Sequence, residues 1–190
     1  MIHDHGGPDA HGAARWDFST NANACGPCPA VANAIRAADA RHYPDVTYTR
    51  LREALAVFHC IAPQRILLAA SASEFIMRMT GAVVRAGGQR VWLPKLAYSD
   101  YRRAAAAWGL QCVSQPADAS LLWLCEPGSP TGGTESMACE AVAAPAVVVL
   151  DRAYEPLRLS GAGSLSKPAL NQVWQVWSPN KALGMTGIRG

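Results

Sequence analysis

The chain has 190 residues, half of them hydrophobic and 16% charged, with a formal net charge of +3. Such a composition excludes a disordered chain, and so small a charge, with its basic residues scattered, gives no electrostatic argument for nucleic acid. No apolar run is long enough to span a bilayer, and the opening "MIHDHGGPDAHGAARWDFS" lacks the apolar core of a signal peptide, so a cytoplasmic chain with reduced cysteines is expected.

Residues 1–27 read as an irregular segment rich in Gly, His and Asn. Its "CGPC", Cys25 to Cys28, has the letters of a thioredoxin-type motif. That chemistry needs the first cysteine at a helix start directly after a strand, whereas this one follows the polar "STNANA". A zinc set with Cys60, His59 or His42 lacks a second paired spacing. The segment is read as a Pro/Gly loop, and no metal is expected. "PAVANAIRAADARHY" reads as a helix with Pro29 in its first turn, broken by "YPD". "YTRLREALAVFHC" repeats apolar residues at three and four, a second helix.

"RILLAA" reads as a short strand, and "SASEFIMRMTGAVVRAG" as a helix whose Ser-rich start and Glu74 suit an N-terminus. "RVWLP" (strand), "YSDYRRAAAAWG" (helix), "LQCVS" and "SLLWLCEP" (strands) follow. Then come "GTESMACEAVAA" (helix), "AVVVLD" (a fully apolar strand) and "NQVWQVWS" (a last strand), before a loop holding Lys181. Strands alternate with helices, and several strands are apolar throughout, as when both faces of a sheet are covered. The fold class expected is α/β, with a mostly parallel sheet.

Ligands in such sheets bind where strands end, and four strand ends carry unusual chemistry. Asp151 follows "AVVVL", with Tyr154 three residues on; "WLCEPGSPTGG" turns around Ser129; "LLAASASE" meets a helix start at Ala72 and Ser73; "VWSPNK" ends at Lys181, one of only three lysines. Each has a plainer role available, as turn, cap or solvated charge. Together they describe a different object. A carboxylate keeps a heterocyclic nitrogen protonated, and a lysine in an apolar pocket can form an imine. Amides at a helix start, with an arginine, hold a phosphate. A protonated pyridine, an imine and a phosphate are the features of pyridoxal phosphate.

Through "DFSTNANACGP", "HYPDVTYTRLREALA", "PGSPTGG", "VVLDRAYEPL" and "SPNKALGMTGIRG" the chain resembles the class I/II aminotransferases, from His5 to its last residue. The resemblance implies the fold-type I, aspartate-aminotransferase-like large domain: a three-layer α/β fold with a mostly parallel sheet. Residues 1–42 would form an N-terminal arm and first helix, and 43–190 a cofactor-binding domain incomplete at its C-terminal end. The implied cofactor is pyridoxal 5'-phosphate. Lys181 would carry the imine link and shuttle protons. Asp151 would pair with the ring nitrogen, and Tyr154 would hydrogen-bond the ring's 3-oxygen. Ser178, Arg189 and the amides of Ala72 and Ser73 would bind the phosphate, Tyr98 would stack on the ring, and Tyr43 would reach the phosphate of a neighbouring subunit in a homodimer.

The sequence departs from the family at Ser129, where asparagine is usual, at Ser71 for a glycine, and at Asn23–Ala24 for Asn–Pro. The family's chain also continues past "RG" into a small domain that grips the substrate carboxylate, so residues 1–190 alone are expected to associate and to be inactive on amino acids. Within the family the resemblance is to the branch holding histidinol-phosphate aminotransferase and threonine-phosphate decarboxylase. "HGG" ahead of "DFSTNAN" favours the decarboxylase, an enzyme of cobalamin side-chain synthesis; the aminotransferase is the alternative, and a catalytically inactive remnant the third reading. The expected partner is a small-molecule amino substrate, a phosphorylated one included.

Overall fold

The computed structural model describes residues 6–134 and 146–188. The expected helix at 133–144, Gly133 and Thr134 apart, and the site residue Arg189 therefore lie outside the described residues. Among those described, the helices of four or more residues are α1 (Pro29–Arg36), α2 (Thr49–His59), α3 (Ala72–Arg85), α4 (Ser99–Ala107), α5 (Lys167–Leu170) and α6 (Pro179–Ala182). The strands are β1 (Arg90–Trp92), β2 (Gln111–Cys112), β3 (Leu121–Cys125), β4 (Val147–Asp151) and β5 (Trp174–Val176).

The strands form one sheet in the order β2-β1-β3-β4-β5, every pairing parallel. Parallel pairing makes all five strands end at the same edge of the sheet. The order also reverses direction: from β1 the chain steps out to β2, then returns to the other side of β1 as β3. The loops after β1 and β3 leave in different directions from neighbouring strands, the place where open α/β sheets form a crevice.

Each residue of β3 is buried, whereas both residues of the edge strand β2 are exposed. β3 and β4 are held in register from Leu121↔Val147 to Cys125↔Asp151. The core gathers Ile76, Val91, Tyr101, Ala104, Leu121, Trp123 and Val149, all fully buried, where α3 and α4 cover the sheet. Close helix packing depends on Gly81 of α3, since a Cβ there would stand 2.5 Å from the Trp108 ring. Ser71 caps α3 by accepting from the Glu74 amide (3.0 Å), while the Glu74 carboxylate accepts from the Ala70 amide (2.6 Å). This is a reciprocal cap of the kind the "SASE" spacing predicts.

Three sequence expectations are corrected. "RILLAA" forms no strand: Pro63–Arg65 is a 3-10 turn, and Ile66 is extended but in no ladder among the described residues. Apolar, β-prone residues become a strand only beside a partner, which periodicity does not supply. The first helix is shorter than read, ending at Arg36. The Lys181 segment is a one-turn helix started by Pro179 rather than a loop.

Candidate active site at the strand ends

The last residue of β4 is Asp151, paired with Cys125 on one side and Val176 on the other. It is 6% exposed. Its Oδ2 accepts from the Tyr101 hydroxyl at 2.6 Å and its Oδ1 from the Ala153 amide at 2.9 Å. Burial pushes the carboxyl above the usual aspartate range, while these two bonds and the positive charge of Lys181 act the other way. A buried carboxyl held this way is poised to meet a cationic or hydrogen-bonding group, because isolated charge is costly there.

Tyr101 is the residue that sequence reading overlooked. Its ring stacks on Trp123 at 4.7 Å and 10°, so the aromatic core fixes the hydroxyl against Asp151. Burial first, then the neighbouring Asp151, drives its phenol well above the ordinary range, keeping it a donor. The available signal was the i, i+3 spacing of Tyr98 and Tyr101 in "YSDY", which puts both rings on one helix face. Tyr98 immediately precedes α4, without a side-chain capping bond, and lies edge-on to Tyr101 at 5.8 Å. Cys125 also borders the carboxylate; burial and Asp151 push its thiol up to about 11.

On the other flank, the Lys181 Nζ stands 5.2 Å from the centre of the Tyr154 ring. Tyr154 is half-buried. Burial raises its phenol, and the neighbouring side chains of Asn21 and Ser129 work against that rise. The Asn21 amide donates to the Ser129 hydroxyl at 3.2 Å. Two segments 108 positions apart in sequence thus meet at the Ser129 hydroxyl.

The Lys181 turn is tied to the N-terminal segment. Asn23 donates from its backbone to the Lys181 carbonyl (2.9 Å) and from its amide to the Ala182 carbonyl (2.9 Å), and Cys28 donates to the Leu183 carbonyl (2.9 Å). Gly184 closes the contact: its φ is +64, and a Cβ there would sit 2.4 Å from the Gly26 oxygen. "CGPC" therefore serves a junction, with Cys28 at the start of α1.

At the start of α3, Ala72 and Ser73 present first-turn amides, which lack partners within a helix. The Ser73 hydroxyl donates to Asp100 and lies 3.4 Å from the Tyr98 hydroxyl. Ser178 immediately precedes α6, and its side chain makes no capping bond. The structure thus brings Asp151, Tyr154, Lys181 and Ser129 together, with Tyr98 beside Tyr101. It leaves Tyr43 apart, 98% exposed.

The family model for "Aminotransferase class I and II" matches residues 15–190. The chain belongs to this family. It is 32% identical over 160 residues to a histidinol-phosphate aminotransferase of Symbiobacterium thermophilum, covering 72% of this chain and 44% of that protein. A second, from Macrococcus caseolyticus, is 29% identical over 199 residues, 90% of this chain and 56% of its own. The chain thus spans about half the length of the curated relatives it matches. The crystal structure of histidinol-phosphate aminotransferase from Sinorhizobium meliloti in complex with pyridoxal-5'-phosphate superposes with a TM-score of 0.74 at 26% identity, over 90% of this chain and 53% of that one. L-threonine-O-3-phosphate decarboxylase from Porphyromonas gingivalis gives 0.70 at 18% identity, over 90% of this chain and 59% of that one, a likeness of fold. Among the described residues no helix is long and apolar enough to cross a membrane.

Proposed function

We propose that this chain is the cofactor-binding part of a pyridoxal 5'-phosphate enzyme that transaminates a phosphate-bearing amino compound of the histidinol phosphate type. One observation carries the reading: the buried Asp151, locked by Tyr101, shares a strand-end cluster with Lys181 and Tyr154. The donor set fits the cofactor. Asp151 offers a carboxylate to a ring nitrogen, Lys181 an amine to a carbonyl carbon, and Tyr154 a hydroxyl to a ring oxygen.

When bound, the cofactor supplies an electron sink for charge developing at the substrate's α-carbon. The chain's own residues do the rest. Asp151 holds a proton on the ring nitrogen, and Tyr101 keeps the carboxylate from turning away. Lys181 holds the cofactor and moves a proton at Nζ. Tyr98 covers a ring face. Ser178, Arg189 and the amides of Ala72 and Ser73 hold the phosphate. Because the Ser73 hydroxyl already donates to Asp100, its amide is the group left for an anion. Tyr43 serves a neighbouring subunit of a homodimer from its exposed position.

A second reading, decarboxylation of threonine phosphate, draws on one contact. Gly6 and Gly7 of "HGG" pack against "DFS": the Gly7 amide donates to the Ser19 hydroxyl at 2.9 Å, and a Cβ on Gly6 would meet the Ser19 oxygen at 2.0 Å. The test of the site is borohydride reduction of the cofactor-loaded protein followed by peptide mapping. Label on Lys181 is expected; label on Lys95 or Lys167 would end the assignment. The full-length protein, assayed with histidinol phosphate against threonine phosphate, then decides between the reactions, with faster turnover of histidinol phosphate expected.

A further inference from the structure

Tyr154 hangs from a tight turn whose two ends carry charged side chains with no part in the chemistry above. The Glu155 amide donates to the Arg152 carbonyl at 3.0 Å and closes the turn over residues 152–155. Tyr154 has φ −101 and ψ −1, the values of the third residue of a type I turn. Ala153, the second, is buried and donates its amide to Asp151. The phenol therefore projects from the corner of the turn, and the seat of the turn decides where the ring lies.

The end residues also pair through their side chains. Arg152 Nη2 stands 2.8 Å from Glu155 Oε1. Glu155 Oε2 accepts from Arg158 twice, from Nε at 3.1 Å and from Nη2 at 2.8 Å. Each arginine then reaches a neighbouring strand. Arg152 donates through Nη1 to the Gln175 side chain of β5 at 3.1 Å, and its guanidinium lies 4.6 Å from the centre of the Trp177 ring. Arg158 Nη2 donates to Glu126, the residue after β3, at 3.3 Å. Glu126 is itself fixed by the Ser164 amide at 2.7 Å and the Ser164 hydroxyl at 2.5 Å.

These are not the loose ion pairs of a surface, which are worth little. The side chains of Arg152, Glu155, Arg158 and Glu126 are at most 19% exposed. Burial works to raise the Glu155 carboxyl, but Arg158 and Arg152 outweigh it and hold the group below the usual glutamate range. Two cations face two anions, so removing one member leaves a largely buried charge without its partner. Glu155 is the hub, touched by both arginines. Through it the tyrosine turn is fastened to β5, which leads into the Lys181 turn, and to the end of β3. The torsions of the ring stay free to adjust; the network sets the point from which it hangs, with Lys181 Nζ 5.2 Å from its centre.

We propose that Glu155 is a positioning residue for Tyr154: by pairing with Arg152 and Arg158 it fastens the tyrosine turn to β5 and to the end of β3, and so holds the phenol ring beside the Lys181 amine. The inference rests on the site reading above only for what Tyr154 then does to a ligand.

The test reads the Lys181 side chain by NMR of the 13C-lysine-labelled protein without ligand, with Lys181→Arg to assign the signal. An aromatic ring beside the amine shifts the Cε protons, and Tyr154→Leu removes that shift and so sets its full scale. Glu155→Gln, the neutral isostere, should lose most of the shift, and Glu155→Asp, which keeps the charge, should retain more of it. If Glu155→Gln does not fold, Arg152→Lys carries the same test, because an ammonium lacks the planar fork that serves Glu155 and Gln175 together. A Lys181 signal that stays put in the folded variant, whatever its melting temperature, overturns the proposal, as does one that Tyr154→Leu leaves in place. The second arm adds pyridoxal 5'-phosphate and follows its visible band against pH. Glu155→Gln should move the midpoint in the same direction as Tyr154→Phe; a midpoint moved by Tyr154→Phe and unmoved by Glu155→Gln also overturns it. If the unmodified protein takes up no cofactor, the site reading fails, while the lysine signals still decide the role of Glu155.

Discussion

The two flanks of Asp151 are built in opposite ways. On one, Tyr101 is fully buried, stacked on Trp123, and oriented by the core of the sheet. On the other, Tyr154 is half-buried and its surroundings are polar groups brought in by loops, Ser129 and Asn21, beside the Lys181 turn. Packing fixes the first flank without needing a ligand, since a close-packed aromatic pair has few alternative positions. The second can adjust, because side-chain hydrogen bonds at a partly open surface are each worth little. A site with one rigid and one adjustable side suits chemistry in which an anchor must stay still while a proton moves.

Removing the rigid flank should cost most. Trp123→Ala takes out the ring beneath Tyr101 and a contact with Phe75 at 6.4 Å. A destabilisation of about 3–5 kcal/mol is expected, and a urea melt that barely moves would show that the core does not set this flank.

Asp151→Asn separates stability from function. Turnover in the proposed reaction should fall by about 10²–10³-fold, the loss usual for a fixed electrostatic partner. Stability without ligand should move the other way. Burial raises the folded-state pKa of Asp151 above its unfolded value, so the folded state binds that proton more tightly. Its contribution is favourable at low pH and is lost as pH rises from the unfolded value through the folded one. At neutral pH the charge is therefore a burden, and the asparagine variant should melt at a higher temperature. A lower melting temperature at pH 7, with no such gain, would contradict this account.

The adjustable flank should respond less. Gly184→Ala forces a side chain into a left-handed backbone and against the Gly26 oxygen. A loss of about 1–3 kcal/mol is expected, with faster amide exchange at Asn23 and Cys28 and unchanged exchange in β3. Exchange that rises equally in β3 would mean the two flanks are coupled. Ser129→Ala should be the mildest, about 1 kcal/mol or less in stability, with a small upward shift of the Tyr154 titration.

Much of this was legible from local pattern. The unbroken apolar runs at β3 and β4 announced a sheet covered on both faces, and the same runs placed Asp151 at a strand end. The "SASE" spacing announced the cap of α3, and "SPNK" marked the lysine. These are properties of neighbouring residues, and burial with hydrogen-bond capping follows from short-range periodicity. Four things were decided only in three dimensions. "RILLAA" needed a partner strand to be a strand. Lys181 gained a helical turn from Pro179 and the Asn23 strap. Tyr101 became the partner of Asp151 because α4 lies over β3. Asn21 reached Ser129 across 108 positions. Each turns on whether distant segments meet, as Tyr101 meets Asp151, Asn21 meets Ser129 and Asn23 meets the Lys181 turn, which a one-dimensional pattern does not encode, while the periodic burial that builds the sheet is written into the chain itself.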